Sequence, residues 1–329
     1  MRPHILSICL AVFAMTLATA DGPDPAPSEA AQLQKPPASR LPDPQMLEEI
    51  RGLLAEEEAT VAAVRTLHEE QGALAAGEEE YLEAARFFQS GENLEEIAER
   101  VGARYALIRQ AYELGLDRYP NNARLHNYLG ELLYDNFGEL DAALQAWHKA
   151  ITLDKELSQP HNNLGIHYMR FGEYKRALEY LDRAIALDPK HPDYLYNMAQ
   201  FYLMHRPQTI EIRGWKPEKV FAEAMKHSKD AMQLAPDEYE YVSNYAINFF
   251  KADEFGVEPN WSESAKAWAE ARNLVHEEPR IVYTLMMEAR AWLRAGENSK
   301  AVVALERVLE LNPHSGPAQN LLERARAEV

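Results

Sequence analysis

From residue 46 onward apolar side chains recur every three or four positions. Leu47, Ile50, Leu54, Val61, Val64, Leu67 and Leu74 are separated by Glu-rich stretches, the period of an amphipathic helix. The pattern predicts one long helix or two shorter ones over residues 46–76. A coiled-coil seam would place Glu57 and Gln71 at positions that need apolar side chains, so this stretch is expected to cap the N-terminal end of a larger helical array. Beyond it Pro and Gly fall at long, regular intervals, and no stretch alternates apolar with polar for more than a few residues. The expected fold class is therefore all-α.

The helical pattern repeats itself. Between Ser158 and His191 come Leu164, Gly165, Tyr168, then Gly172, Glu173, Tyr174, then Ala177, Leu181, Ala184 and Leu187-Asp188-Pro189. Two antiparallel helices approach closely only where small residues meet, so Gly165 is expected opposite Ala177 and Ala184, with Tyr168 and Leu181 filling the space beside them. Gly172 turns the chain, and Pro189 breaks it after the second helix. The same landmarks return from Ala123 as Leu129-Gly130, Leu133, Gly138, Ala143, Trp147 and Ala150, with one extra residue near Phe137. They return from Pro192 with a thirteen-residue insertion, Arg206 to Glu218, and from Tyr239 with a six-residue insertion around Phe255-Gly256. A fifth copy runs from Val282 through Ala289, Trp292, Gly296 and Ala301 to Pro313.

In residue types and spacing this unit resembles the tetratricopeptide repeat (TPR). The resemblance covers five units over residues 123–315 and implies a right-handed superhelical solenoid of antiparallel helix pairs, with a concave groove lined by the first helix of each pair. Residues 46–122 then form an N-terminal helical region with a degenerate repeat, its second helix over Tyr105–Pro120 and its first between Glu79 and Gln89. Residues 316–329 form a C-terminal capping helix. The resemblance places the groove side chains one turn from the packing residues. It names Asn127 and Tyr134 in the first unit, Asn163 and Arg170 in the second, Asn197 and Met204 in the third, Asn244 and Lys251 in the fourth, and Arg290 and Arg294 in the last. Asn163, Asn197 and Asn244 keep one phase, with gaps of 34 and 47 residues. An amide donates and accepts at once, which suits a peptide backbone; the alternative is that these asparagines bond neighbouring helices. Trp215, within the longest insertion, is a candidate loop contact or else folds back on adjacent helices, whereas Trp147, Trp268 and Trp292 fall at packing positions.

The start of the chain changes the picture of where it works. Arg2 precedes an apolar run from Ile5 to Leu17 that ends in Ala18, Thr19 and Ala20, the layout of a signal peptide over residues 1–20. The run is shorter than the roughly 20 residues a membrane span needs, which favours cleavage over a retained anchor. The expected location is exported, periplasmic or secreted. Residues 21–45 are Pro-rich and read as a disordered linker. Cys9, the sole cysteine, lies within the apolar run, so a cleaved chain carries no thiol for disulfides, thiolate metal sites or nucleophilic chemistry.

A net charge of −18 repels phosphate backbones, and nucleic acid is not an expected partner. Eleven histidines invite a search for metal sites, yet no HExxH arrangement occurs, nor GxSxG, P-loop or GxGxxG. Runs such as Glu78-Glu79-Glu80 read as solvated helix faces. The sequence therefore points to a scaffold or adaptor without catalysis or cofactor, holding a protein or peptide in its groove. The alternative is a structural or assembly component of the cell envelope that binds through its convex face or N-terminal helices, which would also serve homo-oligomer formation.

Overall fold

The computed structural model describes residues 56–87 and 94–327, together with residue 52. The expected signal peptide, the Pro-rich segment and the start of the helix expected over residues 46–76 lie outside the described residues. The chain divides into two compact units, Met1–Pro160 and His161–Val329. No strand occurs among the described residues, as the periodicity requires.

The first unit holds α1 (Glu57–Phe87), α2 (Leu94–Arg118), α3 (Ala123–Leu132) and α4 (Leu140–Leu153). Sequential helices pack against each other. α1 runs as one helix through Gly77 and through the stretch where a separate first helix, Glu79 to Gln89, is expected, so the partner of α2 is the whole of α1. Its apolar stripe explains this: Val61, Val64, Leu67, Ala75, Tyr81 and Leu82 are all buried and share one core with Ile97, Val101, Tyr105, Ile108 and Tyr112 of α2. Asn122 caps α3 by accepting from the Leu125 amide at 2.9 Å, and its own amide donates to Glu57 at 2.7 Å, fastening α3 to the start of α1.

The extra residue near Phe137 has a physical home. α3 continues into a single π-helical turn, Leu133–Phe137, closed by left-handed Gly138. A wider turn absorbs one residue without shifting the register of the helix after it.

The second unit begins inside α5 (Gln159–Arg170) and continues with α6 (Tyr174–Leu187), α7 (Pro192–Met204), α8 (Arg206–Arg213), α9 (Pro217–Leu234), α10 (Tyr239–Asn248), α11 (Trp261–Arg272), α12 (Glu278–Arg294), α13 (Asn298–Leu311) and α14 (Gly316–Ala327). Here α7 packs on α9, α10 on α11, and α12 on α11 and α13. The turn between α5 and α6 uses left-handed Gly172, with φ of 76°, and its backbone closes by Glu173 N–H to Tyr168 at 2.9 Å. Gly296 repeats this between α12 and α13, with Glu297 N–H to Trp292 at 2.9 Å.

At the small residues the nearest neighbour is the large side chain on the second helix, with Ala143 O also 3.2 Å from a Cβ on Gly130. A Cβ on Gly165 would lie 2.8 Å from Leu181 Cδ2, and one on Gly130 would lie 2.6 Å from Trp147 Nε1. The glycines make room for the large side chain on the second helix. Ala177 and Ala184 are nonetheless fully buried.

The insertion over Arg206 to Glu218 forms a helix, α8, followed by a three-residue turn, 214–216, that carries Trp215. His205 alone separates α7 from α8, and Pro207 stands in the first turn of α8, where a missing N–H costs nothing. Arg213 at its end reaches Asp182 on α6 at 2.7 Å and the Tyr202 hydroxyl at 3.3 Å. The six-residue insertion around Phe255-Gly256 begins within a 3-10 helix, Phe249–Phe255, whose Phe255 is buried against Phe221 at 5.4 Å between ring centroids.

Candidate functional site

In the second unit the first helices of successive pairs, α5, α7, α10 and α12, are neighbours. Asn197 on α7 donates to Asn162 on α5 at 2.9 Å. The Tyr241 hydroxyl on α10 donates to Asp193 on α7, and the Tyr196 and Tyr241 rings meet edge to face at 5.8 Å. Arg280 on α12 lies over Tyr239 of α10 at 5.9 Å, and Arg294 reaches Asp253, beyond α10, at 3.1 Å.

The expected groove residues divide by burial. Asn127, in the first unit, is fully buried and donates to Glu131 at 2.8 Å; it lies inside that unit, not on an accessible face. Tyr134 is half-buried against Trp147, with ring centroids 5.2 Å apart. Asn163 is buried as well, at 4% exposure. Arg170, Met204 and Arg294 are exposed, and Asn197, Asn244, Lys251 and Arg290 are half-buried.

Asn197 and Asn244 are both engaged by hydrogen bonds to neighbouring helices. Asn197 bridges to α5, as above. Asn244 accepts from Ser228 Oγ on α9 at 3.1 Å and from Asn248 Nδ2 at 2.9 Å, and Asn248 also donates to Ser228 at 3.0 Å. These bonds are those of the brace alternative. They leave the Asn197 carbonyl and the Asn244 amide hydrogens without a bond among the described residues, which is what a peptide ligand would use.

One turn before these asparagines, at the same phase, stand Asp193 and Glu240. Neither stands out in the sequence, although each lies four residues before its asparagine and the two are 47 residues apart, as the asparagines are. His191 Nδ1 lies 3.7 Å from Asp193. The Glu240 carboxyl is pushed up to about 7, first by burial and then by the like charges of Asp193 and Glu238. At the other end of the helices, Lys251 pairs with Glu254 at 3.0 Å, and Arg294 lies 4.8 Å over the ring of Trp261. Trp261 is buried and meets Phe250 at 5.0 Å; its place at a helix start, outside the repeat landmarks, gives it no signal in the sequence.

Trp215 is half-buried, edge-on to Tyr202 at 5.6 Å, with Lys219 at 4.5 Å and Arg213 at 5.6 Å over its ring. It folds back on its own unit. Trp147, Trp268 and Trp292 are all buried.

A second concavity lies on the other side of α12. Leu285, Trp292, Val303 and Ala304 line a depression of about 770 Å³ together with Arg272 and Glu288. Glu288 is held by Arg272 and by Trp292 Nε1 at 3.3 Å; burial nevertheless raises its carboxyl above the usual range. Among the described residues no helix is long and apolar enough to cross a membrane.

Comparison with known proteins places this geometry. The model of the tetratricopeptide repeat matches residues 158–191. The chain is 31% identical over 112 residues to photosystem I assembly protein Ycf3 of Cyanophora paradoxa, over 33% of this chain, and it spans 65% of that relative's length. It is 30% identical over 135 residues to the protein of the same name from Synechococcus sp. (strain CC9311), over 38% of this chain and 78% of the relative. The solved C-terminal part of a TPR repeat-containing protein from Cytophaga hutchinsonii superposes with a TM-score of 0.50 at 14% identity, covering 84% of this chain and 99% of that one, a likeness of fold. The chain belongs to the tetratricopeptide-repeat family.

Proposed function

We propose that the chain is an exported adaptor that holds a segment of a partner protein on the face formed by α5, α7, α10 and α12. The observation that carries this reading is the pair of phase-matched amides, Asn197 on α7 and Asn244 on α10, beside exposed Arg170, Met204 and Arg294 at the C-terminal ends of α5, α7 and α12. A helix face built only for packing has no use for unbonded amide groups beside an exposed rim. The relatives named for photosystem I assembly support an adaptor that brings other proteins together. Export rests on the layout of residues 1–20 alone.

Photo-crosslinking tests the face. A benzophenone side chain at Met204 in the native host is expected to capture a discrete partner, whereas one at Val303 is not; the reverse outcome overturns the reading. Mass spectrometry of the mature protein tests export, with an N-terminus expected at Asp21. Intact residues 1–20 on a cytosolic pool would refute it.

The depression beside α12 favours the second reading, an assembly component that binds through the opposite face. Val303 is 68% exposed there, in a depression lined also by Arg272, Lys300, Glu306, Arg307 and Glu310, a mixed apolar and charged surface that a protein partner can use. Capture from Val303 alone would select it.

A further inference from the structure

The α5–α7–α10–α12 face carries acids at the N-terminal ends of its two middle helices, α7 and α10, and cations at or just beyond the C-terminal ends of α5, α10 and α12. At the N-terminal end Asp193 and Glu240 share one phase, with Glu238 beside them. At the C-terminal end Arg170, Met204, Lys251 and Arg294 share another. We infer that this face takes a partner helix lying across the four helices, with basic side chains along one flank and acidic side chains along the other. The inference rests on the binding face proposed above.

Macrodipoles alone would favour acids at helix N-termini and cations at C-termini, by about 0.3–1 kcal/mol each. At the acidic end the macrodipole acts without help from a cation. No Lys or Arg among the described residues pairs with Asp193, Glu238 or Glu240; the partners of Asp193 are a tyrosine hydroxyl and His191. Crowding there works against ionisation, since Asp193 and Glu238 add to the burial that raises the Glu240 carboxyl. Carboxylates arranged for stability would be relieved by a nearby cation, whereas carboxylates arranged for a ligand wait for one. At the basic end, Lys251 pairs with Glu254 and Arg294 with Asp253, both of them exposed acids. Such pairs are worth roughly 0–1 kcal/mol and are readily exchanged for a ligand.

The width of the face selects a helix over a strand. Asp193 and Met204 are eleven residues apart, as are Glu240 and Lys251. At about 1.5 Å per residue the two charged edges are about 16 Å apart, and a helix with its side chains is about 10–12 Å across. A helix placed between the edges brings a Lys or Arg on one flank and a Glu or Asp on the other within reach, with the amides of Asn197 and Asn244 beneath it. Three interhelical steps of about 8–10 Å each give the face a length that fits roughly 16–20 helical residues.

The test is selection of 18-residue helical peptides from a phage-displayed library on the full chain, with a benzophenone at Met204 to report position. Enriched peptides are expected to crosslink there and to carry basic and acidic residues on opposite flanks. Fluorescence anisotropy should then show affinity falling at least tenfold when either flank is neutralised. The pair Arg170→Glu and Arg294→Glu should weaken binding as much, and reversal of the acidic flank of the peptide should restore it; circular dichroism checks that the variant is folded. Peptides that crosslink at Met204 with affinity indifferent to flank charge overturn the inference and leave the binding face standing. Peptides enriched without any crosslink at Met204, or no enrichment at all, overturn both.

Discussion

Asn197 donates its amide to the carbonyl of Asn162 across 2.9 Å, tying the first helix of one repeat to the first helix of the repeat before it. The residue that reads in the sequence as a ligand contact is also a brace. One amide can do both, because a single N–H occupies the bond and the carbonyl remains for a partner.

That bond should be measurable. Asn197→Ala and Asn162→Ala are each expected to destabilise the chain, and the double variant should cost about 1 kcal/mol less than the two singles combined. Urea unfolding followed by circular dichroism provides the cycle. Full additivity would mean that the two amides do not interact in solution.

The glycines at the helix crossings give a sharper contrast. Gly130→Ala would push a methyl to 2.6 Å from the Trp147 indole, and Gly165→Ala to 2.8 Å from Leu181. Trp147 and Leu181 are buried and cannot swing away, so each change should cost about 1–3 kcal/mol through overpacking. Gly102 lies in α2, and a methyl group added there would have nothing within 4 Å. There Gly102→Ala should stabilise by about 0.5–1 kcal/mol, since only the backbone entropy of the unfolded chain changes. Thermal melts of the three variants check the opposite signs.

These residues also show how much of the fold is legible in the sequence. The repeat spacing places Gly165 and Leu181 at one helix crossing, because small and large residues must alternate there. It does not say which of them face each other, since that depends on how far each helix rotates about its axis. The one-residue insertion near Phe137 is visible as a phase error, but its resolution as a π-helical turn is not. The continuity of α1 is hidden by Gly77, where nothing crowds the chain and helix simply continues. The asparagine phase is legible, and the partners Asn162, Ser228 and Asn248 are not, because the helix rotations that bring them within reach leave no mark on the spacing. The acidic edge escapes notice although its phase is the same, because single carboxylates are unremarked in a chain of net charge −18.

Glu240 predicts a pH dependence at that edge. Its carboxyl is pushed up to about 7 by burial, Asp193 and Glu238, against about 4.3 in an unfolded chain. The stability tied to its protonated form is present below the unfolded value and is lost as pH rises through about 7. Glu240→Gln keeps the shape and removes the charge. It should raise the melting temperature at pH 8 and leave it unchanged at pH 4. An equal gain at both pH values would show that packing, not ionisation, is responsible.

Three histidines in the same unit act in the opposite sense. His167, His205 and His227 all have lowered affinity for a proton, in each case chiefly from burial. Around His167 the charge of Glu173 opposes this, and those of Arg176 and Arg170 add to it. Around His227 it is opposed by Glu223, Asp230 and Asp182 and reinforced by Lys226. His205 has burial alone, with its ring 4.6 Å from Tyr174 and 5.3 Å from Phe201. A folded value below the unfolded one, about 6.5, leaves stability intact above pH 6.5 and removes it as pH falls through the folded values. The second unit should therefore loosen on mild acidification, before its carboxylates titrate. His205→Phe preserves the aromatic packing and deletes the titration, so it should flatten the loss of melting temperature between pH 7 and pH 5 while changing little at pH 8. If the variant and the parent lose stability in parallel over that interval, the His205 ring is reached by water and its proton is not excluded by the fold.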